Sequence, residues 1–343
     1  MARRPTVRDV AIEAGVSVTT VDRALNGRVR VREETLRKIA QAAHKIGYHA
    51  HGLLKQNIDA SLPALSLGFV MIKKSQEFHQ NFARAIEAAV QARTDIRGQA
   101  VIHFTSSQSP EDFAQALLSL GARCNAIGAV AVNHQRLTDA VEALKADGVP
   151  VFSMLNDFAQ GVRRNYIGLN NMKIGRVAAW MITTRVKRPG KLAVFVGGNR
   201  WHGHDLREVG FRSFVREHAP GFTILDTLVN LETRQLTYEA TLDLVHRHPD
   251  LAGVYVAGGG MEGAIAALRE AHAGPRVALV VNELTRESRA ALADGLVTMV
   301  ICTPLERMCA ELVDLMIRAI QQGDDGSVGQ HFMEPRIILP EML

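Results

Sequence analysis

Apolar positions fall at helical spacing along the first fifty residues. From residue 62 onward they gather into short continuous runs separated by amphipathic stretches. In TVRDVAIEAG, Thr6 is placed to cap a first helix whose apolar stripe is Val10, Ala11 and Ala14. Gly15 supplies the positive φ of a tight helix–helix turn, and Ser17 caps a second helix. On a helical wheel Val21, Ala24 and Leu25 share one side of that helix, while Thr19, Asp22, Arg23 and Asn26 share the other. A third helix is expected from about Arg32 to Lys45, with Leu36, Ile39, Ala40, Ala43 and Ile46 at core spacing. Three short helices with a polar middle one predict a helix-turn-helix module, whose second helix lies in the major groove of DNA.

The later runs predict a different class. LSLGFVMI, GQAVIHFT, AIGAVAVN and VPVFSML alternate with FARAIEAAVQAR, EDFAQALLSLGA and LTDAVEALKADG. A second series begins near Arg164 and includes GRVAAWMITTRV, KLAVFVGG, AGVYVAG, RVALVV and TMVICT. Apolar strands alternating with amphipathic helices predict α/β structure with parallel sheets covered on both faces. Two such series in tandem predict two lobes, without a strict sequence repeat. Ligands in such folds bind at the carboxyl ends of the strands, so a cleft between the lobes is the expected site.

Composition narrows the function. The 343 residues are 47% hydrophobic and 5% aromatic, enough for a large core. The net charge is +5, and residues 1–60 carry 11 Lys/Arg against 6 Asp/Glu. The formal excess of positive charge therefore lies in the first sixth of the chain, where it suits a phosphate backbone. No apolar run is long enough to span a bilayer, and MARRPTVRDV has no apolar secretory core. A cytoplasmic, nucleoid-associated protein without membrane attachment is expected. Cys124, Cys302 and Cys309 show no metal or disulfide spacing. His202-Gly203-His204-Asp205 is expected to be a polar loop rather than a metal site. No cofactor is implied: GFVMIKKS lacks the GxGxxG turn of a nicotinamide dehydrogenase.

The run DVAIEAGVS-x-x-TV-x-R-x-LN followed by VREETLRKIAQAAHKIGY resembles the DNA-binding headpiece of the LacI/GalR transcriptional repressors. The resemblance makes Val18, Thr19 and Arg23 base readers, and Ser17, Thr20 and Asn26 phosphate contacts; Thr6 joins this DNA-facing set. Arginine forks to guanine O6 and N7. Asp22 stands where the family usually has Ser; it either orients Arg23 or reads a cytosine amine. The headpiece is placed at 1–48 and a hinge at 49–61. In the family that hinge forms a helix on operator DNA and wedges a leucine into the minor groove. Here Ala50 replaces a Pro, His51 an Asn, Leu54 an Ala and Asn57 the usual leucine, which leaves Leu53, Leu54 or Ile58 as the wedge.

Residues 62–343 are similar to the periplasmic-binding-protein-like effector domain of the same family. The resemblance implies discontinuous lobes, with crossings placed near 165 and 300, and PRIILPEML as the closing strand. It assigns Arg207, in RxxGF, to ligand hydroxyls and Glu283 to the position of an effector-binding Asp, beside Asn282. Asn133, at a strand end, and Phe78 and Gln80, in the loop after the first strand, are further candidates, as is Asp157 near Leu155, where several sugar-binding members carry Asp. Gly258-Gly259-Gly260 replaces the usual Asn-Asp pair and reads either as an anion nest or as a steric turn. The expected protein is a homodimer on a pseudo-palindromic operator, without a tetramerising tail after Ile338. It responds to a sugar-like effector; a carboxylated or phosphorylated effector, and activation instead of repression, stay open. A periplasmic transport receptor would share the lobes but lack the headpiece.

Overall fold

The computed structural model describes residues 4–26, 31–54, 62–274, 276–323 and 328–343, with the side chain of Glu33 left aside. The chain divides into a small unit, Met1–Leu65 together with Gln91–Gln99, and a large one, Ser66–Val90 together with Ala100–Leu343.

In the small unit, α1 (Val7–Ala14) starts with a reciprocal capping box: Asp9 N donates to Thr6 Oγ1, and Thr6 N donates to the Asp9 carboxylate at 2.8 Å. Gly15 ends α1 at φ +66°, the left-handed conformation its lack of a Cβ permits. Ser17 Oγ then accepts from Thr20 N at 3.1 Å to open α2 (Val18–Asn26). Helix α3 (Glu33–Lys45) closes the bundle, and Lys45 pairs with Glu13 of α1 at 2.6 Å. The core holds Val10, Ala11, Val21, Ala24, Leu36, Ile39 and Ala43, and extends to Tyr48 and Leu54. Leu54 belongs to a further helical segment, α4, whose described residues are 51–54. The packed headpiece therefore continues beyond residue 48, because Leu54 fills its core.

The large unit contains two sheets. The first, in the order β12-β5-β4-β3-β1-β2, uses β1 (Ala64–Met71), β2 (Arg97–Phe104), β3 (Ala126–Ala129), β4 (Val151–Met154), β5 (Asn165–Leu169) and β12 (Gly329–Met333). The second, in the order β13-β11-β10-β9-β6-β7 with β8 also on β6, uses β6 (Lys191–Val196), β7 (Thr223–Ile224), β8 (Leu228–Val229), β9 (Leu251–Val256), β10 (Ala278–Asn282), β11 (Met299–Cys302) and β13 (Arg336–Ile338). Central strands such as β4 and β9 are buried along their whole length, as two-sided covering requires.

Helices α5 (Glu77–Gln91), α6 (Pro110–Gly121), α7 (Gln135–Ala146) and α13 (Leu305–Gln322) accompany the first sheet. The second has α8 (Asn171–Arg185), α9 (His202–His218), α10 (Arg234–Arg247), α11 (Met261–Glu270) and α12 (Arg286–Ala293). The chain crosses between lobes after β5, after β11 and again between β12 and β13. Strands β5 and β12 were not resolved by the apolar pattern: β12, GQHFM, alternates in burial and carries polar residues. The closing strand β13 runs antiparallel to β11, against the parallel pairing expected. It enters its sheet from the cleft, where the other strands of that sheet end.

Candidate functional site

On α2 the expected division of faces holds. Val21 and Ala24 are buried, while Ser17, Val18, Thr19, Asp22, Arg23 and Asn26 are exposed and Thr20 is half-buried. Val18 is 47% exposed, too open for a core residue of this small bundle. Arg23 has no side-chain partner among the described residues. Asp22 accepts from Asn26 Nδ2 at 3.1 Å, so it braces a neighbouring polar residue one turn away and does not orient Arg23. Thr6 is spent on the cap of α1. Of the wedge candidates, Leu54 is fully buried and thereby withdrawn, Leu53 is 53% exposed, and Ile58 lies outside the described residues.

The second site lies within the large unit, where the carboxyl ends of both sets of strands face each other across a cavity of about 700 Å³. Its construction starts with two glycines. A Cβ on Gly175 would lie 1.9 Å from Arg207 O, and one on Gly210 would lie 2.1 Å from Met172 O. Only glycine at both positions lets α8 and α9 touch backbone to backbone. That approach brings Asn171, at the start of α8, to Arg207 on α9, whose Nε donates to Asn171 Oδ1 at 2.7 Å. Arg207 Nη1 donates to Ala257 O at 2.5 Å, and Nη2 takes no partner among the described residues. Phe211 stacks on Tyr255 with ring centroids 5.6 Å apart, anchoring the same helix. The RxxGF pattern thus encodes one charged side chain and the two contacts that aim it.

Asn282, at the end of β10, is 4% exposed; its Nδ2 donates to Val256 O at 2.8 Å and its Oδ1 has no partner. Glu283 follows at φ +67°, and its carboxylate accepts from Thr303 N and from Thr303 Oγ1 at 2.6 Å. Burial pushes its carboxyl up to about 7, against the opposing effect of the Thr303 hydrogen bonds and Arg207. Across the cavity stand Phe78 and His79 of α5; His79 Nδ1 is buried and unpartnered, and burial lowers its pKa to about 4. Leu155, Glu232 and Glu283 all line the cavity at positive φ, and Lys73, the ion-pair partner of Glu232, also has positive φ. Such backbone costs about 1–3 kcal/mol per residue and gathers at functional sites.

Phe78, Arg207, Asn282 and Glu283 are therefore brought together, and the other sequence candidates are not. Phe78 and Gln80 lie on α5 rather than in a loop, and exposed Gln80 bonds to Lys74 O at 3.1 Å, outside the cavity. Asn133 is exposed because β3 ends at Ala129 and the buried stretch that follows carries it past the cavity; its backbone N donates to Arg200 O. Asp157 turns inward, where Arg163 grips it with Nε at 2.5 Å and Nη2 at 2.7 Å, and Ser153 and Gln330 also donate to it. Its neighbour Asn156 lines the cavity instead, donating to Ala131 O and accepting from Gly203 N.

Cavity residues that the sequence pattern missed include His79, Trp201, Glu232, Glu262 and Thr303. They stand on separate segments, and nothing in their spacing marks them. His202-Gly203-His204-Asp205 is the first turn of α9, not a loop, and no metal-binding group of His, Cys, Asp and Glu occurs among the described residues. In the Gly258–Gly260 run, Gly259 N donates to Glu232 Oε1 at 3.1 Å.

Residues 6–51 match the model for bacterial regulatory proteins of the lacI family, and residues 67–325 match a periplasmic binding protein domain. The chain belongs to the lacI family of bacterial regulatory proteins. It is 27% identical to the HTH-type transcriptional regulator GntR of Pseudomonas aeruginosa over 259 residues, 74% of this chain and 71% of the relative. It is 25% identical to the HTH-type transcriptional regulator GalS of Salmonella typhimurium, covering 77% of this chain and 75% of that one. A periplasmic solute-binding protein of Actinobacillus succinogenes with bound D-allose shares the fold of the core, with a TM-score of 0.73 at 16% identity over 81% of this chain and 98% of that chain. This lacI-family protein is a DNA-binding transcriptional regulator, not an enzyme. Among the described residues, no helix is long and apolar enough to cross a membrane.

Proposed function

We propose that this lacI-family regulator is a cytoplasmic, nucleoid-associated repressor of a carbohydrate uptake or catabolic operon, released or recruited by a small sugar-like effector bound between the lobes of its core. The observation that carries the reading is unfinished hydrogen bonding among residues that line the cavity: buried Asn282 Oδ1 and His79 Nδ1, and the Nη2 of half-buried Arg207. A buried polar atom without a partner is costly, so these atoms mark where ligand polar groups belong. Asn282 Oδ1 and the Glu283 carboxylate ask for donors, while Arg207 Nη2 asks for an acceptor. A hydroxyl satisfies both demands, and adjacent hydroxyls suit the planar guanidinium. Phe78 and Trp201 add aromatic surface to the same lining. The D-allose held by the solute-binding protein of the same fold agrees with this class.

A carboxylated or phosphorylated effector fits less well. Such groups bring acceptors only, and of the three glycines that suggested them the Gly259 amide is taken by Glu232. On DNA, two copies of the chain place their α2 helices in successive major grooves of a pseudo-palindromic operator. Arg23 and Thr19 read bases there, Ser17, Thr20 and Asn26 meet phosphates, and exposed Leu53 is the minor-groove wedge. The effector acts by preferring one lobe arrangement, which is the source of any coupling to operator affinity.

A mobility-shift titration at fixed salt, across neutral sugars, polyols and sugar acids, tests this. A neutral sugar or polyol is expected to change operator retention, with the response lost in Arg207→Ala. Arg23→Ala is expected to lose about 1–3 kcal/mol of preference for the native operator over one with the guanine replaced. Retention indifferent to every compound would remove the effector reading, and full site preference in Arg23→Ala would remove the base-reading role.

A further inference from the structure

Glu232 enters the cavity wall from the second lobe, immediately after the segment carrying β8, and meets a cation from the first. Lys73 Nζ, just beyond β1, donates to Glu232 Oε2 at 2.5 Å, and the two side chains are only 16% and 13% exposed. The pair is built rather than incidental. Both residues hold left-handed backbone, φ +50° for Lys73 and +54° for Glu232. Glu232 Oε1 accepts from Gly259 N, and His204 Nε2 lies 3.8 Å from the same oxygen. Gly197 N donates to His204 Nδ1 at 3.1 Å, so the neutral ring carries its proton on Nε2, facing the carboxylate. A Cβ on Gly197 would lie 2.5 Å from Glu232 Cγ, and one on Gly258 would lie 2.4 Å from His204 Cε1. Glycines on two strand ends thus make room for this carboxylate and its histidine.

We propose that Lys73 and Glu232 form an interlobe latch, and that its making and breaking sets the resting angle of the cleft on which the effector acts. The proposal adds regulation to the effector-cleft reading and rests on it. The physics favours a switch over a weld. A desolvated ion pair gains strong attraction but forfeits hydration on both partners, and the two nearly cancel. The closed and open arrangements therefore lie close in free energy, within reach of a small ligand's preference for one of them. Losing one partner is different, because closure would then bury a lone charge. Other cross-lobe contacts among the described residues, such as Gly203 N to Asn156 Oδ1 at 2.8 Å, Asn133 N to Arg200 O at 3.0 Å and Arg286 N to the Glu77 carboxylate at 3.2 Å, pair no two opposite charges.

The test uses the full-length protein without added ligand, as Lys73→Met, Glu232→Gln and the double variant, with small-angle scattering and hydrogen exchange at the Gly259 amide. Each single variant is expected to give a larger radius of gyration and at least about tenfold faster exchange, equal to about 1.4 kcal/mol in the opening equilibrium. The double variant buries no charge and is expected to return toward the parent value, which a misfolded protein would not do. Single variants matching the parent in both measurements overturn the latch, as does a double variant displaced by the sum of the two. Operator retention on the same proteins keeps the readings apart. Opened single variants with no response to any sugar leave the latch and remove the effector; an intact sugar response with unopened single variants does the reverse.

Discussion

The helical headpiece and the two-lobed core place the residues proposed to bind DNA and effector in opposite environments. In the headpiece they are exposed: Ser17, Val18, Thr19, Arg23 and Asn26 stand outside a core of about ten buried residues. In the core they are buried or half-buried, and two carry buried atoms without a partner, Asn282 Oδ1 and His79 Nδ1. A surface that reads DNA needs free side chains on a rigid rod, so its residues stay close in sequence and follow helical spacing. A cleft that encloses a small molecule draws polar atoms from strand ends scattered over the chain. The first can be recognised from a short segment; the second exists only once both sheets are folded.

The sharpest way to break this comparison is to remove a buried partner in the core. Arg163→Ala leaves the Asp157 carboxylate, now held well down by that guanidinium despite its burial, without its counter-ion. A loss of about 3–5 kcal/mol in unfolding free energy is expected by denaturant titration. Destabilisation under 1 kcal/mol would show that Ser153, Gln160 and Gln330 suffice.

The headpiece counterpart is Leu54→Ala, expected to cost about 2–5 kcal/mol because so small a core cannot spare a fully buried leucine. Leu53→Ala, at an exposed neighbour, is expected to leave headpiece stability nearly unchanged while weakening operator binding. Equal melting losses in both would contradict the burial difference.

A pH-dependent effect belongs to Glu283. Its folded-state pKa of about 7 lies above the ordinary 4.5, so the folded protein binds that proton more tightly. The contribution is complete at pH below about 4.5 and is lost as pH rises through about 7. His79 and His204, both lowered to about 4 by burial, act in the opposite sense, adding stability as pH rises from about 4 to 6.5. Comparing Glu283→Gln with the parent cancels the histidines. The difference in Tm should favour the parent least at pH 8 and most at pH 5, and a flat difference would deny the raised pKa.

The amino-acid sequence by itself determined the headpiece almost residue by residue. Thr6, Gly15 and Ser17 act through their own backbone neighbours, so local chemistry sufficed to place them. It also determined the α/β alternation and pointed to Arg207 as a cavity residue, because RxxGF compresses a helix contact and a charge into one short segment. Tertiary structure decided the rest. Whether Asn156 or Asp157 faced the cavity depended on Arg163, several residues away, and Leu54 changed from wedge candidate to core by packing among three helices. Lys73 and Glu232 are separated by 159 positions and meet because two sheets end at one cleft. Short-range preferences are written in neighbouring residues, whereas burial and charge pairing depend on which distant segments the fold brings into contact.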